Sequence, residues 1–192
     1  MNLLKITEKI VKERFGVVKP HFKRTLYWVK YLDPQASEIV QSAALAHDIG
    51  RSILSSVGLS KQFKRHDGND VAYLKHQKLG YETIYGDLIK NGIDEEIAKK
   101  VAKIVEFHER GGWLEADLVK DADSVSFFEG NAPRFASDPK FEKLFSWKSI
   151  RQKFEWMFNR ISSEKARTLA KPMYEKALAD LEKKIAARHS EK

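Results

Sequence analysis

The stretch Ala43-Ala44-Leu45-Ala46-His47-Asp48-Ile49-Gly50-Arg51 decides how the rest of the chain is read. Its small apolar residues suit a buried helix that lets neighbouring helices come close, and it then delivers a histidine and an aspartate side by side before a glycine. Adjacent side chains on a regular helix point about 100° apart. His47 and Asp48 therefore face one cation only where the backbone turns, and Gly50 permits such a turn. A second His-Asp pair lies in the polar run Lys64-Arg65-His66-Asp67-Gly68-Asn69, which predicts a loop and a helix start. The apolar run in front of His47 sets the first pair apart.

Outward from this stretch, apolar residues recur at intervals of three and four rather than two, and glycine or proline punctuates segments of helical length. This predicts an all-α chain. Towards the N-terminus, Leu3, Leu4, Ile6, Ile10 and Val11 mark an amphipathic helix to about Arg14, closed by Gly16. Pro20 starts a second helix that runs to Leu32 and stops before Asp33-Pro34, with His21 in its first turn. Ser37 caps the helix that carries the central stretch.

Towards the C-terminus, Arg51 to Lys64 predicts a short helix and a loop. A long helix then opens at Asp67 or Asn69 and ends at Asn91-Gly92, with Ala72, His76, Leu79, Gly80 and Thr83 on one face. Asp94 caps the next helix, whose Ile97, Val101, Ile104 and His108 share an inward face until Gly111-Gly112 stops it. A shorter helix from about Glu115 to Phe128 puts Val119, Asp123, Ser126 and Phe127 on one side. Glu129 to Pro139 predicts a loop, a lid over a pocket. Beyond it come an aromatic-rich helix from Phe141 to Ile161 and a charged helix from Glu164 to Arg188 that Pro172 starts or kinks. The expectation is a single domain, 1–192, with a core at about 15–130 and a C-terminal helical extension at about 139–190.

A chain of 192 residues is long enough to bury roughly 70% of its unfolded surface. It contains no cysteine, so disulfides, thiolate catalysis and cysteine zinc sites are excluded, and any metal must be held by His, Asp, Glu or water. Lysines and glutamates alternate with apolar residues from Met1 to Phe15, unlike a signal peptide, and no run approaches about 18 apolar residues. A soluble cytoplasmic protein with no membrane partner is expected. The formal charge of +8, from 35 Lys+Arg against 27 Asp+Glu, favours anionic partners, a small phosphorylated molecule foremost. Lysines spread over the whole length without a basic stripe interleaved with aromatics, so nucleic acid is not the expected partner. The aromatic segment Phe141 to Phe158 suits core or interface, and an interface there would make a homo-oligomer.

His21, His47, Asp48, His76, His108 and Asp123 each lie on a helix face or end that also carries apolar residues. One histidine on an apolar face is ordinarily a core residue bonded to a backbone carbonyl. Several imidazoles and carboxylates taken inside together are costly to desolvate unless a shared cation offsets the cost. His66 and His189, in a charged loop and a tail, stand apart.

These residues resemble the HD-domain superfamily of metal-dependent phosphohydrolases, whose signature is H…HD…D on a helical bundle. The resemblance covers about His21 to Phe128. It makes His21 the first histidine, His47 and Asp48 the central pair, and Asp123 the final aspartate, within Asp121-Ala122-Asp123-Ser124-Val125-Ser126. Asp121 is the rival for that last role, about 200° away round a helix. His76 and His108 match the H…HD…H…H…D subset that holds two metal ions, bridged by an aspartate equivalent to Asp48. His47-Asp48-Ile49-Gly50-Arg51 and His108-Glu109-Arg110-Gly111-Gly112 are similar to the HD-GYP phosphodiesterases, but that subfamily's paired histidines and GYP tripeptide are missing. The implied fold is an HD-domain helical bundle with additional C-terminal helices.

Imidazole and carboxylate ligands without thiolate suit one or two divalent ions of Mn, Fe, Co, Ni or Zn. The implied activity is a metal-dependent phosphohydrolase acting on a small phosphate ester, a nucleotide monoester or diester, by attack of metal-bound hydroxide. Asp48 would be acid/base partner as well as ligand. Arg51, Lys75 and Arg110, beside the proposed ligands, are candidates to bind phosphate. Arg51 stands first because a guanidinium grips two phosphate oxygens at once. Glu82 and Glu109 read as ordinary exposed charges on helix faces. Two alternatives use the same residues differently: a di-iron oxygenase, and a catalytically idle module that binds a nucleotide or a protein.

Overall fold

The computed structural model describes residues 2–56, 71–138 and 145–190. The readings of His66-Asp67, of the opening of the long helix at Asp67 or Asn69, and of Phe141 lie outside them. Among the described residues there is no strand, as the all-α reading requires. The elements are α1 (Leu3–Phe15), α2 (Pro20–Leu32), α3 (Glu38–Ala46), α4 (Gly50–Ser56), α5 (Val71–Lys90), α6 (Glu95–Phe107), α7 (Leu114–Ser126), a π-helical turn (Phe127–Asn131), α8 (Ala132–Ser137), α9 (Trp147–Asn159) and α10 (Glu164–Ser190). The expected caps form. Ser37 Oγ accepts from the Val40 amide at 3.4 Å, and Asp94 accepts from the amides of Glu96 and Ile97 at 3.0 and 3.1 Å. No described helix is long and apolar enough to cross a membrane.

α3 sits at the centre of the bundle. Its residues from Ser42 to Ala46 are all buried, and α1, α2, α6 and α7 all pack on it. Alanine at 43, 44 and 46 makes this close approach sterically affordable. One apolar cluster, including Val11, Val29, Ile84, Leu88, Val101 and Val105, joins α1 to α7. A second, around Phe128, Phe154, Ala170 and Leu181, joins the π-helical turn to α8, α9 and α10, and Trp28 and Leu32 of α2 pack against both. Each such aliphatic or aromatic side chain contributes about 1.5–3 kcal/mol on full burial. α7 lies between the clusters, so every residue from Val119 to Phe128 is buried. Its buried Lys120 donates to Asp117 at 2.5 Å and to Ser162 at 2.6 Å.

The structure corrects two expectations, the loop at Glu129 to Pro139 and the inward facing of Ile97. Glu129 to Ser137 is not a loop: the π-helical turn and α8 occupy it, and only Pro139 of the expected segment falls outside the described residues. Pro133 sits in the first turn of α8, where a missing N–H leaves nothing unsatisfied, and Phe127 and Phe128 anchor the turn in the second cluster. The last helix opens at Glu164 as expected, with Pro172 inside it rather than at its start. Ile97 is on the rim of its helix face, 37% exposed, while Val101, Ile104 and His108 are buried as expected.

Candidate metal centre

α3 stops at Ala46 and α6 at Phe107, and in each case the next residue is a histidine. Its Nδ1 donates back to the carbonyl three residues earlier, His47 to Ala44 and His108 to Val105, both at 2.7 Å. A carbonyl only accepts, so Nδ1 carries the hydrogen, and in the neutral ring the lone pair is on Nε2. This is how a protein fixes the tautomer of a metal-ligating imidazole. On α2 the same result comes from a hydroxyl. Ser126 Oγ donates to the His21 carbonyl at 3.2 Å and therefore accepts from His21 Nδ1 at 2.8 Å, turning His21 Nε2 inward.

The inward atoms meet. His21 Nε2 is 2.9 Å from Asp123 Oδ1 and 3.3 Å from His47 Nε2, which is itself 3.4 Å from Asp123 Oδ1. Asp48 Oδ1 is 3.1 Å from His76 Nε2 and 4.0 Å from His108 Nε2. Donors held about 2.0–2.2 Å from one ion lie about 3 Å from each other, the spacing seen here. Asp48 belongs both with His21 and His47 and with His76 and His108. His108 Nε2, fully buried, makes no hydrogen bond, with Glu109 Oε1 at 3.7 Å. A buried lone pair left so costs about 1–3 kcal/mol. That orphan, and a donor set of imidazole nitrogens and carboxylate oxygens, fit a divalent cation. His21, His47, Asp48, His76, His108 and Asp123 are thus brought together.

Asp121 points elsewhere. Its carboxylate accepts from the amides of Ser162 and Ser163 at 2.8 and 2.7 Å, just ahead of α10. Of the three cations nominated for phosphate, Arg51 alone is placed at the cluster, with Nε 2.6 Å from Asp48 Oδ1 and Nη2 4.0 Å from Glu109 Oε1. Lys75 is exposed, one position round the helix from buried His76. Arg110 is exposed too, its guanidinium 4.3 Å over the Phe107 ring. Neither is brought to the site.

Gly50 acts by absence of bulk rather than by an unusual backbone angle. It is the first residue of α4 and is not among the positive-φ glycines; residues 47–49 make the turn. A Cβ there would lie 2.6 Å from the His76 carbonyl oxygen, 2.8 Å from the Gly80 nitrogen and 3.1 Å from His76 Nδ1. Gly50→Ala must push α5 away, and is expected to cost about 1–3 kcal/mol in chemical denaturation and to lower metal retention as His76 is displaced.

Two further residues join the site: Glu109, which the sequence presents as an exposed charge, and Arg160, which it does not single out. Glu109 was expected on an exposed face but is buried, whereas Glu82 is exposed as expected. Arg160, just past α9, donates to Glu109 and Asp123 through its terminal nitrogens and to Ser124 Oγ through Nε at 2.9 Å. Glu109 adjoins a candidate histidine, a usable signal; Arg160 had none. Burial would raise the Glu109 carboxyl, but the charge of Arg160, with His108 and Lys153, holds it down at about 2. Asp48 is likewise held well below the usual carboxylate range, against burial, chiefly by Arg51 and His76. Burial draws Lys153 of α9 down to about 8, with Glu109 opposing the shift and Arg160 and Arg51 adding to it.

The histidines diverge. Burial disfavours the His47 imidazolium, yet the charges of Asp123 and Asp48 and the bond to Asp123 outweigh it and carry its pKa up to about 9. Burial dominates at His108, down to about 4. In the metal-free protein, the raised His47 pKa stabilises the fold below its ordinary value of 6.5, and this contribution is lost as pH rises through about 9. A metal must displace that proton. Manganese affinity is therefore expected to rise up to about tenfold per pH unit between pH 7 and 9, with release of about one proton, and then to flatten. Calorimetry in buffers of different ionisation enthalpy measures the proton directly.

A family model described as HD domain matches residues 6–127. No curated protein and no solved structure matches the chain. The matched span runs from α1 through α7 and takes in every one of the converging histidines and aspartates, and on that ground the chain belongs to the HD-domain family, whose members are generally metal-dependent hydrolases.

Proposed function

We propose that this protein is a metal-dependent phosphohydrolase that cleaves a small phosphate ester, with a nucleotide as the preferred substrate class. The observation that carries the reading is the convergence of four imidazole Nε2 atoms on Asp48 and Asp123, beside a cavity of about 540 Å³ whose wall includes His21 and Asp48. One or two divalent ions held by His21, His47, Asp48, His76, His108 and Asp123 would supply Lewis acidity at phosphorus and bring the pKa of a bound water towards about 7.

The chain's own groups do the rest. Asp48, shared between the two donor groups, would hold the ligand set together and accept a proton at its carboxylate. Arg51, about 39% exposed and already at Asp48, is placed to turn its fork towards a phosphoryl oxygen. The backbone carbonyls of Ala44 and Val105 keep His47 and His108 in the tautomer the site requires. The test is a panel of phosphate monoesters and diesters with manganese, cobalt, nickel, zinc or iron added in turn. Metal-dependent release of phosphate or nucleotide, abolished by chelator and by Asp48→Ala, is the expected result. No turnover across the panel, or an iron- and oxygen-dependent oxidation in its place, overturns it.

A further inference from the structure

The converging histidines and aspartates account for one wall of the adjoining cavity and leave the charge around it unexplained. Lys19, at the start of α2, Arg24, one turn later, and Arg134, on α8, also line that space. Arg24 is neutralised, its fork closed on Glu129 at 2.6 and 2.7 Å. Lys19 and Arg134 are not: among the described residues neither makes an ion pair. The Lys19 ammonium rests on the Phe15 ring, 4.0 Å from its centroid, a contact that fixes the side chain without cancelling its charge. Two exposed cations from elements over a hundred residues apart thus border one cavity, with Asp48 as the carboxylate in its lining and neither cation ion-paired to it. An anion entering the cavity is attracted by both charges. Arg51, beside Asp48, would serve a phosphoryl group at the metal centre, which leaves Lys19 and Arg134 for a further anionic group of the substrate.

We infer that the substrate carries a second phosphate besides the one attacked, and that Lys19 and Arg134 hold it. The substrate class is then a bisphosphorylated or diphosphate compound rather than a simple monophosphate. The inference rests on the phosphohydrolase reading for the position of the first phosphate. Arg24 is excluded from this role by its pair with Glu129.

The test is calorimetric titration of the manganese-loaded protein with methylphosphonate and with propane-1,3-bisphosphonate, whose C–P bonds resist hydrolysis. The wild-type protein is expected to bind the bisphosphonate at least about tenfold more tightly than the monophosphonate, as two charge-assisted contacts allow. Lys19→Ala/Arg134→Ala is expected to bring that ratio down to about twofold or less. Both side chains are exposed, so the variant removes charge without opening the core. A wild-type ratio near one, a ratio unchanged in the variant, or equal weakening of both ligands overturns the inference, the last by placing both cations on the attacked phosphate. The readout is a ratio of binding constants, so it is decided separately from turnover: an inactive ester panel would defeat the hydrolase reading and leave this ratio to stand or fall by itself.

Discussion

Asp48→Ala is expected to purify with less than about a tenth of the metal carried by the wild-type protein, and to bind added manganese at least about 100-fold more weakly. Loss of a group that merely orients a ligand costs about 10–100-fold in metal affinity, and Asp48 is placed as a donor in two groups at once, with His21 and His47 on one side and His76 and His108 on the other. Removing its carboxylate takes the anion shared with His76 and His108 and leaves His21 and His47 with Asp123 alone. His47→Ala is the informative comparison. His47 meets His21 and Asp123 but is not in the group of Asp48, His76 and His108, so that variant is expected to retain part of its metal. Two partners are released by Asp48→Ala: Arg51, which is part-exposed and remains within 4.0 Å of Glu109, and buried His76, whose Nε2 loses its 3.1 Å contact, so a stability loss of about 1–3 kcal/mol should accompany the loss of metal. Elemental analysis of the purified variants, followed by competition titration, measures both effects. Wild-type metal content in Asp48→Ala would overturn the ligand set.

How far the site was legible in the chain follows from how local its causes are. The helices were legible because periodicity and capping act within a few residues: Ser37 and Asp94 cap as their side chains suggest. So was the tendency of His47 and His108 to face inward, since each continues the buried face of a helix. The choice between Asp121 and Asp123 was not local. The amides of Ser162 and Ser163, some forty residues on, hold the Asp121 carboxylate, while Asp123 lies against His21. The reading of Glu129 to Pro139 as a loop failed for a related reason. Gly130 and Pro133 are breakers by propensity, but Phe127 and Phe128, buried against α9 and α10, hold the chain in a helical course. Lys75 and Arg110 lie exposed because adjacency in sequence is not adjacency in space: a residue beside an inward histidine on a helix is turned about 100° away. Gly50 was identified for the wrong property, a turn, when what matters is the missing Cβ against α5.

Arg160→Ala is expected to destabilise the protein by about 3–5 kcal/mol, the cost of removing one partner from a buried ionic cluster. The guanidinium is only 6% exposed and reaches Glu109 and Asp123, which are 5% and 8% exposed, so its loss leaves two buried carboxylates without their main cation, Glu109 with Arg51 at 4.0 Å and Asp123 with His21 and His47. Ser124 Oγ loses its donor as well. The pH dependence has a definite sign. With Arg160 present, the Glu109 pKa lies at about 2, below the ordinary 4.5, and Asp123 is also held down, against burial, chiefly by Arg160. Such depressed values stabilise the fold above the ordinary carboxylate pKa, and the contribution is lost as pH falls through the folded one. The difference between wild-type and Arg160→Ala should therefore be full at pH 6–7 and shrink as pH falls from about 4.5 towards 2. Arg160→Lys restores one charge but not the fork that spans two carboxylates and a hydroxyl, and is expected to recover only part of the loss. Added divalent metal should recover part of it too, by giving Asp123 another cation. Denaturant titrations across pH, with and without manganese, measure all three. A difference independent of pH would show that Arg160 contributes by packing against Trp156, 4.5 Å from its ring centroid, and not by holding Glu109 and Asp123 in their ionised forms.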